Sequence, residues 1–349
     1  MADRLEEYRR KRDAARTPEP VPRRAPRRKK PTGDTARFVI QQHHARSLHW
    51  DLRLEHEGVL ASWAVPRGLP REPGRNHLAV HTEDHPMEYL TFHGEIPAGE
   101  YGGGRMTIHD RGTYRAEKWH DDEVIVVLDG ERTSGRYVLF ATGGKAGRDW
   151  MVRRTDPAPE GWTSMPELVR PMLPSPGGKL PRDEHEWGYE LRWDGVRAVA
   201  YVSGGRLRLL SETDEEITGT YPWLRDMAEE LAPTEAVLDG VLVRIDRAGR
   251  VRPARGGRAT ADAQYLIFDL LWLEGVGSVE LPYAQRRELL DGLALTGAHW
   301  QTPPWFPGTG AEALRTAREQ GLPGVVAKRL DSVYEPGRRS RRWLSIDTS

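Results

Sequence analysis

The stretch HHARSLHWDLRLE, from His43 to Glu55, indicates the fold of the first half of the chain. From Leu48 onward its apolar and polar residues alternate, as is typical of a β-strand with one buried face. The apolar face carries Leu48, Trp50, Leu52 and Leu54, and the polar face carries His49, Asp51, Arg53 and Glu55. A surface strand usually exposes Thr, Ser or Lys, so His, Asp and Arg in a row indicate a functional face.

Short alternating runs of this kind recur through the first half of the chain, between turns rich in Gly, Pro and Asp. They read RFVIQQ, LHWDLRLE, VLASWAV, HLAVHTE, RMTIHD, EVIVVL, RYVLFAT and DWMVRR. So many short strands in succession predict an antiparallel sheet or barrel over residues 37–155.

Three side chains of the first two runs are candidates for a metal site. His49 and Asp51 share one face of the predicted strand, because positions i and i+2 point the same way, and a bend would bring His43 to the same point. Two imidazoles and one carboxylate suit Mn²⁺, Zn²⁺ or Fe²⁺ better than Mg²⁺ or Ca²⁺. Arg53 extends this face and can bind a phosphate bidentately. A strand with a hydrated polar face is the alternative that the spacing leaves open.

Two further segments combine polar residues with turn signals. HLAVHTEDHP (His77–Pro86) contains Glu83 and His85, although Asp-His-Pro is also ordinary turn chemistry. The glycines of GEIPAGEYGGG (Gly94–Gly104) could cradle a phosphate with backbone N–H groups, although such a run in a β domain also forms a bent hairpin. From these residues alone, both alternatives stay open.

Charge is distributed unevenly along the chain. Residues 1–30 hold 12 Arg and Lys against 5 Asp and Glu, and VPRRAPRRKK (Val21–Lys30) has six basic residues and no acidic one. We therefore expect residues 1–36 to form a basic, Pro-rich tract that begins with a short helix within residues 3–16. Such a tract either lies on phosphates or is a solvated tail.

The second half has a different texture. Residues 156–181 are rich in Pro and Gly, which predicts a linker. In residues 182–349, strand-like runs such as AVLDGVLVRID alternate with helical runs such as YAQRRELLDGL. This alternation predicts a mixed α/β domain.

Composition excludes several classes of protein. The 349 residues contain no cysteine, which excludes disulfides and thiolate metal sites. The formal net charge is zero, the N-terminus is charged, and no apolar run approaches the roughly 20 residues of a membrane span. We therefore expect a cytoplasmic, nucleoid-associated protein without a signal peptide or membrane segment.

Five blocks together resemble a known family: EEYRRKRDAARTPEP, FVIQQHHARSLHWDLRLE, GVLASWAVPRG, HLAVHTEDHPMEY and GEIPAGEYGGG. They are similar to the 3′-phosphoesterase domain of bacterial ligase D, a DNA end-healing and end-joining repair protein, over roughly residues 5–155. The resemblance implies an all-β, barrel-like phosphoesterase domain. Its expected reaction removes a phosphate, or a ribonucleoside, from the 3′ end of DNA and leaves a 3′-hydroxyl.

The resemblance also implies roles for individual residues. The family's Mn²⁺ ligands match His43, His49 and Asp51, and its phosphate contacts match Arg53 and His85. Polar groups that support the site match Glu83 and Tyr89, and a pair used in removing a 3′ ribonucleoside matches Arg12 and Asp13. Two phosphate-binding positions differ, because Arg67 stands where the family often has Lys and His77 where some relatives have Arg.

The chemistry implied by this resemblance combines a metal with fixed positive charge. The metal polarises a phosphate oxygen or holds the attacking water. Arg53 and a protonated His85 neutralise charge on the phosphoryl group, and His85 protonates the leaving 3′-oxygen.

The second half resembles the nucleotidyltransferase domain of ATP-dependent DNA ligases over roughly residues 165–346. The blocks GYELRWDGVRA, VLDGVLV, YLIFDLLWLEG and PGVVAKRLDSVYEPG match the family's motifs in order. The opening motif is Lys-x-Asp-Gly-x-Arg in the family, and its lysine attacks ATP to form lysyl-AMP. Here Arg192 occupies that position, and a guanidinium has no free lone pair with which to attack phosphorus.

Other positions depart from the ligase pattern in the same direction. Val241 and Pro323 replace acids, and Ser345 and Asp347 replace lysines of the closing motif. The retained motif residues are Asp194, Gly195, Arg197, Phe268, Asp269 and Lys328. We expect a degenerate adenylation domain, with uncertain ATP binding and without the OB-fold that would follow Ser349. A working ligase in which Lys328 or Lys179 accepts AMP is the alternative.

The resemblances favour a metal-dependent 3′-end-healing enzyme of non-homologous end joining. Three other functions remain open: a non-catalytic end-joining scaffold, an active ATP-dependent DNA ligase, and a cupin-like metal protein acting on small molecules. The expected cofactor is Mn²⁺ or another divalent transition metal. The expected partners are DNA ends, a Ku-type end-binding protein, a primase-like polymerase and a separate ligase.

Overall fold

The alternating runs of the first half form β-strands in the computed structural model, which describes residues 3–22, 35–143, 147–245, 251–253 and 263–348. The chain divides into two units, Met1–Glu160 (unit 1) and Gly161–Ser349 (unit 2). Most of the predicted basic stretch Val21–Lys30 lies outside the described residues.

Unit 1 is built almost entirely from antiparallel strands. They are β1 (Ala36–His44), β2 (Leu48–His56), β3 (Val59–Val65), β4 (Asn76–His81), β5 (Gly94–Ile96), β6 (Gly104–Trp119), β7 (Glu123–Gly130), β8 (Ser134–Ala141) and β9 (Asp149–Arg154). They hydrogen-bond in the order β1-β2-β3-β4-β9-β8-β7-β6-β5, and β1 also pairs with β6. This last pairing closes the sheet, so the predicted barrel is confirmed.

The register of β1 against β2 places the polar residues on one face. His43 pairs with His49, and Gln41 pairs with Asp51. Directly opposed residues of antiparallel strands point to the same side, so these four side chains share a face, and Arg53 follows Asp51 on it. Both faces of β2 are buried at its centre, which means that something covers the polar face.

The cover comes from the N-terminal segment. Its helix α1 spans Glu6–Arg10, shorter than the predicted helix. Leu5 and Tyr8 are fully buried against residues such as Leu60 and Tyr89. Burying such side chains contributes about 1.5–3 kcal/mol each. The described part of the predicted N-terminal tract is therefore part of the phosphoesterase-like unit rather than a separate tail.

Unit 2 contains two sheets and three helices in its described residues. The strands are β10 (Leu173–Gly177), β11 (Trp187–Arg192), β12 (Val196–Ser203), β13 (Arg206–Ser211), β14 (Ala236–Ile245), β15 (Val251–Pro253), β16 (Ala263–Leu273), β17 (Val276–Gly277), β18 (Trp300–Gln301), β19 (Trp305–Pro307), β20 (Gly324–Arg329) and β21 (Arg339–Asp347). The helices are α2 (Arg225–Leu231), α3 (Tyr283–Gly292) and α4 (Gly310–Glu319). The predicted mixed α/β domain is confirmed.

The two sheets of unit 2 meet within one motif. One sheet has the order β10-β21-β20-β11-β19, and the other has the order β13-β12-β14-β16-β17 with β15 and β18 attached. The run YELRWDGVRAVAYV is interrupted at Asp194-Gly195 and supplies β11 to one sheet and β12 to the other. A Cβ at Gly195 would lie 2.1 Å from the Leu242 carbonyl oxygen, so only glycine allows this close approach.

The predicted linker over residues 156–181 needs correction. The boundary between the units falls after Glu160, and Val169 and Met172 are buried in the core of unit 2. Strand β10 then pairs in parallel with β21. The apolar residues of this segment therefore make it part of unit 2, despite its many prolines.

None of the helices among the described residues is long and apolar enough to cross a membrane.

Candidate functional site

Three potential metal ligands converge on the polar face of unit 1. The donor atoms of His43, His49 and Asp51 all lie within 4.8 Å of one another. His43 Nδ1 is 3.7 Å from Asp51 Oδ2, and His49 Nε2 is 3.7 Å from Asp51 Oδ1. The bend that the sequence required for His43 is the β1–β2 hairpin, whose register places His43 opposite His49.

Backbone carbonyls fix the tautomers of both imidazoles. His43 Nε2 is 2.9 Å from the Gly102 carbonyl oxygen, and His49 Nδ1 is 3.0 Å from the Ser47 carbonyl oxygen. A carbonyl oxygen only accepts, so each of these nitrogens carries the proton. The lone pairs therefore lie on His43 Nδ1 and His49 Nε2, the two atoms nearest to Asp51. This orientation of the second ring nitrogen is common among metal-bound histidines.

Arg53 adds positive charge beside the ligands. Its Nη2 donates to Asp51 Oδ2 at 2.9 Å, and its Nε donates to Gln41 Oε1 at 2.6 Å. Gln41 is held by the carbonyl oxygens of Tyr89 and Phe92 at 3.0 and 2.8 Å. Arg53 is 2% exposed, and its Nη1 is buried with no hydrogen-bond partner among the described residues. Leaving a buried charged donor unpaired is costly, so Nη1 is suited to an anionic ligand.

The carboxylate of Asp51 is ionised despite its burial. Burial alone would raise the pKa of Asp51, but Arg53 and the two imidazoles lower it well below its ordinary value. The group is therefore a charged ligand at neutral pH.

His85 lies beside Arg12 and is buried. Its Nδ1 donates to the Glu83 carbonyl oxygen at 2.8 Å, and its Nε2 faces Arg12 Nη2 at 3.4 Å. Burial, together with the nearby charges of Arg53 and Arg12, lowers the pKa of His85 well below 6.5. The predicted protonated state is therefore disfavoured in the ligand-free protein, because two guanidinium groups already supply the positive charge.

The N-terminal segment completes the site. Arg12 donates to Glu83 at 2.9 Å and to Glu19 at 2.7 Å, and Lys11 lies 2.9 Å from Glu83. Burial would raise the pKa of Glu83, but these two cations lower it overall. Tyr89 donates its hydroxyl proton to Glu19. A buried, charge-balanced network therefore joins residues 11–19 to the barrel.

These groups line a cavity of about 250 Å³. Its lining residues are Arg12, Glu19, His43, Ala45, His49, Asp51, Arg53, Ala64, Thr82, Glu83, His85, Tyr89, Ile96, Tyr101, Gly102 and Met106. Sequence interpretation missed Glu19 and Tyr101 in the lining and Gln41 behind it. Gln41 precedes His43 by two positions on a strand, and this spacing could have revealed it; no comparable pattern marks Glu19.

Three predicted site residues do not line the cavity. Asp13 is exposed, and its carboxylate accepts a hydrogen bond from the Ala15 backbone N–H at 3.0 Å, which stabilises the local turn. His77 Nδ1 lies 2.7 Å from the Gly68 carbonyl oxygen, and Arg67 is exposed. The structure therefore does not bring Asp13, His77 or Arg67 to the other site residues.

Unit 2 has a smaller pocket, of about 60 Å³, at the motif positions of the second half. Its lining residues are Pro174, Glu190, Leu191, Arg192, Trp193, Arg197, Val241, Phe268, Val326, Lys328 and Trp343. Lys328 is 1% exposed and lies 2.8 Å from Glu190 and 3.8 Å from Asp269. Burial lowers the pKa of Lys328 even though these two carboxylates act in the opposite direction.

Arg192, which stands at the position of the family's nucleophilic lysine, contacts other positions that depart from the ligase pattern. Arg192 donates to the Pro323 carbonyl oxygen at 2.8 Å and to the Ser345 hydroxyl, and it lies 2.6 Å from Asp347. Three of the other four positions that depart from the ligase pattern thus contact Arg192. The fifth, Val241, lines the pocket and offers no carboxylate.

Two of the retained motif residues, Arg197 and Asp269, make ion pairs within unit 2. Arg197 makes a bidentate ion pair with Asp239 at 2.8 and 2.6 Å, and Arg286 pairs with Asp269 at 2.8 Å. Asp194 is exposed at the break between β11 and β12. The sequence predicted neither of these two pairings, because Asp239 lies 42 positions from Arg197 and Arg286 lies 17 positions from Asp269.

Comparisons with known proteins match both units. Residues 41–141 match the family described as the DNA Ligase D 3′-phosphoesterase domain, and residues 171–346 match the ATP dependent DNA ligase domain. The multifunctional non-homologous end joining protein LigD of Mycolicibacterium smegmatis is 44% identical, over 99% of this chain and 45% of its own length. The Pseudomonas aeruginosa protein of the same name is 34% identical, over 98% of this chain and 47% of its own length.

This chain therefore spans about half the length of these curated relatives. Among solved structures, a mycobacterial DNA ligase D complexed with ATP and MES is similar with a TM-score of 0.47 and 36% identity. That match covers 51% of this chain and 60% of the mycobacterial chain.

Proposed function

The chain belongs to the ATP-dependent DNA ligase domain family and joins that domain to a ligase D 3′-phosphoesterase domain, and from this premise we propose that unit 1 is a metal-dependent phosphoesterase. It removes a 3′-phosphate, or a 3′-ribonucleoside, from DNA ends during repair by non-homologous end joining. The observation that carries the proposal is the convergence of His43, His49 and Asp51 beside the unpaired Nη1 of Arg53.

The donor set fits Mn²⁺ or another divalent transition metal. The lone pairs of His43 Nδ1 and His49 Nε2 and an ionised Asp51 would hold the ion. When bound, the ion supplies Lewis-acid polarisation of a phosphoryl oxygen or of the attacking water. No residue needs to leave its hydrogen-bonded position for this ligation.

Arg53 binds the phosphoryl group in this proposal. Its Nε and Nη2 donate to Gln41 and Asp51, and its Nη1, which has no hydrogen-bond partner among the described residues, is available to donate to a phosphoryl oxygen. The guanidinium is held in place before substrate arrives, so little reorganisation is needed as charge develops on the phosphoryl group.

His85 acts after substrate binding. In the free protein its pKa is lowered and the ring is neutral at pH 7. A phosphate dianion in the cavity adds negative charge, which favours the imidazolium. His85 Nε2–H can then donate to the phosphoryl group or protonate the leaving 3′-oxygen. We therefore expect proton uptake when a 3′-phosphate end binds.

Arg12 contributes to the same cavity from the N-terminal segment. It lies between Glu19, Glu83 and His85 and is 5% exposed. We assign Arg12 a contact with the terminal nucleotide, while exposed Asp13 keeps only its role in the local turn. The basic residues that follow this segment are proposed to bind the DNA backbone.

We further propose that unit 2 does not form lysyl-AMP and that it docks DNA ends or partner proteins. The engagement of Arg192 by Pro323, Ser345 and Asp347 supports this assignment. A Ku-type end-binding protein, a primase-like polymerase and a separate ligase are the proposed partners.

An active ligase is the second candidate function, because one observation favours it: burial lowers the pKa of Lys328, the direction that a nucleophilic lysine requires. Its position between Glu190 and Asp269 opposes this role, and Lys179 is exposed. Incubation with labelled ATP and Mg²⁺ or Mn²⁺ decides between the candidates, since covalent AMP on the protein would establish the ligase.

The test of unit 1 is release of phosphate from a primer–template with a 3′-phosphate, measured across a series of divalent metals. We expect release with Mn²⁺ and at least about 100-fold slower release by His43→Ala. His120→Ala, which changes an exposed histidine of the same unit, is the matched control. Absence of release by the wild-type protein with every metal, or full activity of His43→Ala, would refute the proposal.

A further inference from the structure

Tyr101 is an exposed aromatic side chain in the lining of the cavity of unit 1. It is 48% exposed, whereas the other aromatic lining residue, Tyr89, is fully buried. The ring is therefore about half open to solvent beside the phosphate-binding groups, with Lys11 and Arg12 near it.

The turn that carries Tyr101 holds it next to a metal ligand. Gly102 has a φ of +77°, and its carbonyl oxygen accepts the hydrogen bond from His43 Nε2. At Gly104, with φ of +144°, a Cβ would lie 2.2 Å from the His44 carbonyl oxygen. Glycine is needed at both positions, so the turn is tightly held against β1. The place of Tyr101 is consequently fixed relative to His43.

Two cationic side chains of the site lie close to the ring of Tyr101. Lys11 Nζ is 3.3 Å from the Tyr101 hydroxyl and 4.7 Å from the ring centroid. Arg12 Cζ is 5.3 Å from the same centroid, and its Nη2 is 3.4 Å from His85 Nε2. Arg12 thus lies close both to the ring of Tyr101 and to His85. Aromatic rings interleaved with cations in this manner are typical of surfaces that bind single-stranded nucleic acid.

We propose that Tyr101 is a stacking platform that positions the base of the 3′-terminal nucleotide. The proposal rests on the proposed phosphoesterase function and adds how that site recognises a nucleic-acid end rather than a simple phosphate. Stacking tolerates any base, since every base has a π-face. A site that heals ends of arbitrary sequence needs this kind of recognition.

A purely supporting role for Tyr101 is the competing explanation. In that case its hydroxyl holds Lys11, and through it Glu83, while the ring itself binds nothing. The two explanations differ in which part of the side chain matters. Tyr101→Phe removes the hydroxyl and keeps the ring, whereas Tyr101→Leu keeps apolar bulk and removes the ring.

The experiment compares two primer–templates with a 3′-phosphate, using the full chain and Mn²⁺. One ends in an ordinary nucleotide, and the other carries a tetrahydrofuran abasic residue at its terminus. We expect the wild-type KM to be roughly 5- to 150-fold lower for the end with a base, the range measured for loss of one stacked base. Tyr101→Ala and Tyr101→Leu should abolish this ratio, and Tyr101→Phe should keep it.

Two controls separate stacking from damage to the site. Leu78→Ala, which truncates another exposed apolar side chain of unit 1 outside the cavity lining, should leave the ratio at its wild-type value. Calorimetric titration with Mn²⁺ should give the same affinity for Tyr101→Ala as for wild type, because the turn depends on its glycines. If Tyr101→Ala does not fold, the Leu and Phe variants carry the comparison.

The outcomes distinguish this proposal from the function on which it rests. If Tyr101→Leu lowers kcat on both ends and keeps the KM ratio, or if Tyr101→Phe loses the ratio, the ring is not a platform. A wild-type protein that releases phosphate equally well from both ends also overturns the stacking proposal and leaves the phosphoesterase intact. Release from neither end refutes the phosphoesterase itself.

Discussion

The two units differ in how far the charged side chains around their cavities are already paired with protein groups, and so in what they can offer to a ligand. In unit 1, Arg53 is held on two of its nitrogens and keeps Nη1 unpaired beside a cavity of about 250 Å³. In unit 2, the lining cations Arg192, Arg197 and Lys328 each have a carboxylate within 2.8 Å, around a pocket of about 60 Å³. Lys328 Nζ also lacks a well-aligned hydrogen bond among the described residues, but Glu190 compensates its charge. Binding capacity follows from polar atoms that protein groups leave unsatisfied, and charged residues alone do not indicate it.

The same difference separates two kinds of buried carboxylate. Asp51 combines with two imidazole lone pairs directed at it, whereas Asp269 is enclosed by Arg286 and Lys328. Although Asp51 also pairs with Arg53 at 2.9 Å, the two lone pairs beside it can still ligate a cation, whereas Asp269 has two cations as neighbours. Substitutions in the two units should therefore produce different kinds of defect.

The largest expected effect on stability is that of Asp269→Ala in unit 2. Asp269 and Arg286 are both fully buried, so removing the carboxylate leaves an uncompensated guanidinium. We expect a loss of about 3–5 kcal/mol in the free energy of unfolding of unit 2, measured by urea denaturation. Asp331→Ala, which removes an exposed acid, should leave the midpoint unchanged. A loss below about 1 kcal/mol would mean that unit 2 does not depend on its buried ion pairs.

Arg53→Lys should produce a large functional defect in unit 1. A lysine ammonium lacks the planar set of N–H donors with which arginine contacts Gln41, Asp51 and the cavity at once. We therefore expect kcat on a 3′-phosphate end to fall about 100-fold or more. Calorimetry should still detect Mn²⁺ binding, because the three ligands remain. Arg111→Lys, an exposed arginine of the same barrel, serves as control. Near-normal kcat would show that phosphate contacts lie elsewhere.

Acidification should destabilise unit 1 through His85. Because burial and the charges of Arg53 and Arg12 lower its pKa in the folded state, the unfolded chain takes up a proton first as pH falls below 6.5. Stability should then fall by up to about 1 kcal/mol per pH unit from this group, measured by denaturation of the metal-free protein. His85→Gln should reduce this slope relative to His120→Gln. An unchanged slope would contradict a neutral, buried His85.

The sequence predicted local features well, because alternation and turn residues are local signals. The face shared by His49, Asp51 and Arg53 followed from strand periodicity, and the eight alternating runs predicted the barrel. Long-range contacts were inaccessible to such reasoning. Glu19 contacts Tyr89 across 70 positions, and no periodicity links a Pro-rich segment to a barrel.

Burial of polar residues was equally hard to predict. A hydrated polar face of β2 was the alternative that the spacing left open, but this face is buried at its centre, and Leu5 and Tyr8 pack onto the barrel. Likewise, the departures from the ligase pattern at Arg192, Pro323, Ser345 and Asp347 are separate, unlinked positions in the sequence. The contacts of the other three positions with Arg192, across separations of 131 to 155 positions, became evident only in three dimensions.

The smallest expected effect is that of Arg192→Lys, and it tests the contrast between the units most directly. A lysine there would face Asp347, which now lies 2.6 Å from the arginine. That carboxylate would hold the amine as an ammonium, and Pro323, Ser345 and Val241 would still supply no group for ATP or metal. We therefore expect no covalent AMP after incubation with labelled ATP, and a stability change below about 1 kcal/mol, as is usual for exposed pairs.

Restoring the acids and lysines at the other four positions together with Arg192→Lys is the positive counterpart. If the single substitution yields lysyl-AMP, the pocket of unit 2 lacks only the nucleophilic amine of a working ligase site. The two units would then both be competent for catalysis, contrary to the contrast drawn from their ion pairs.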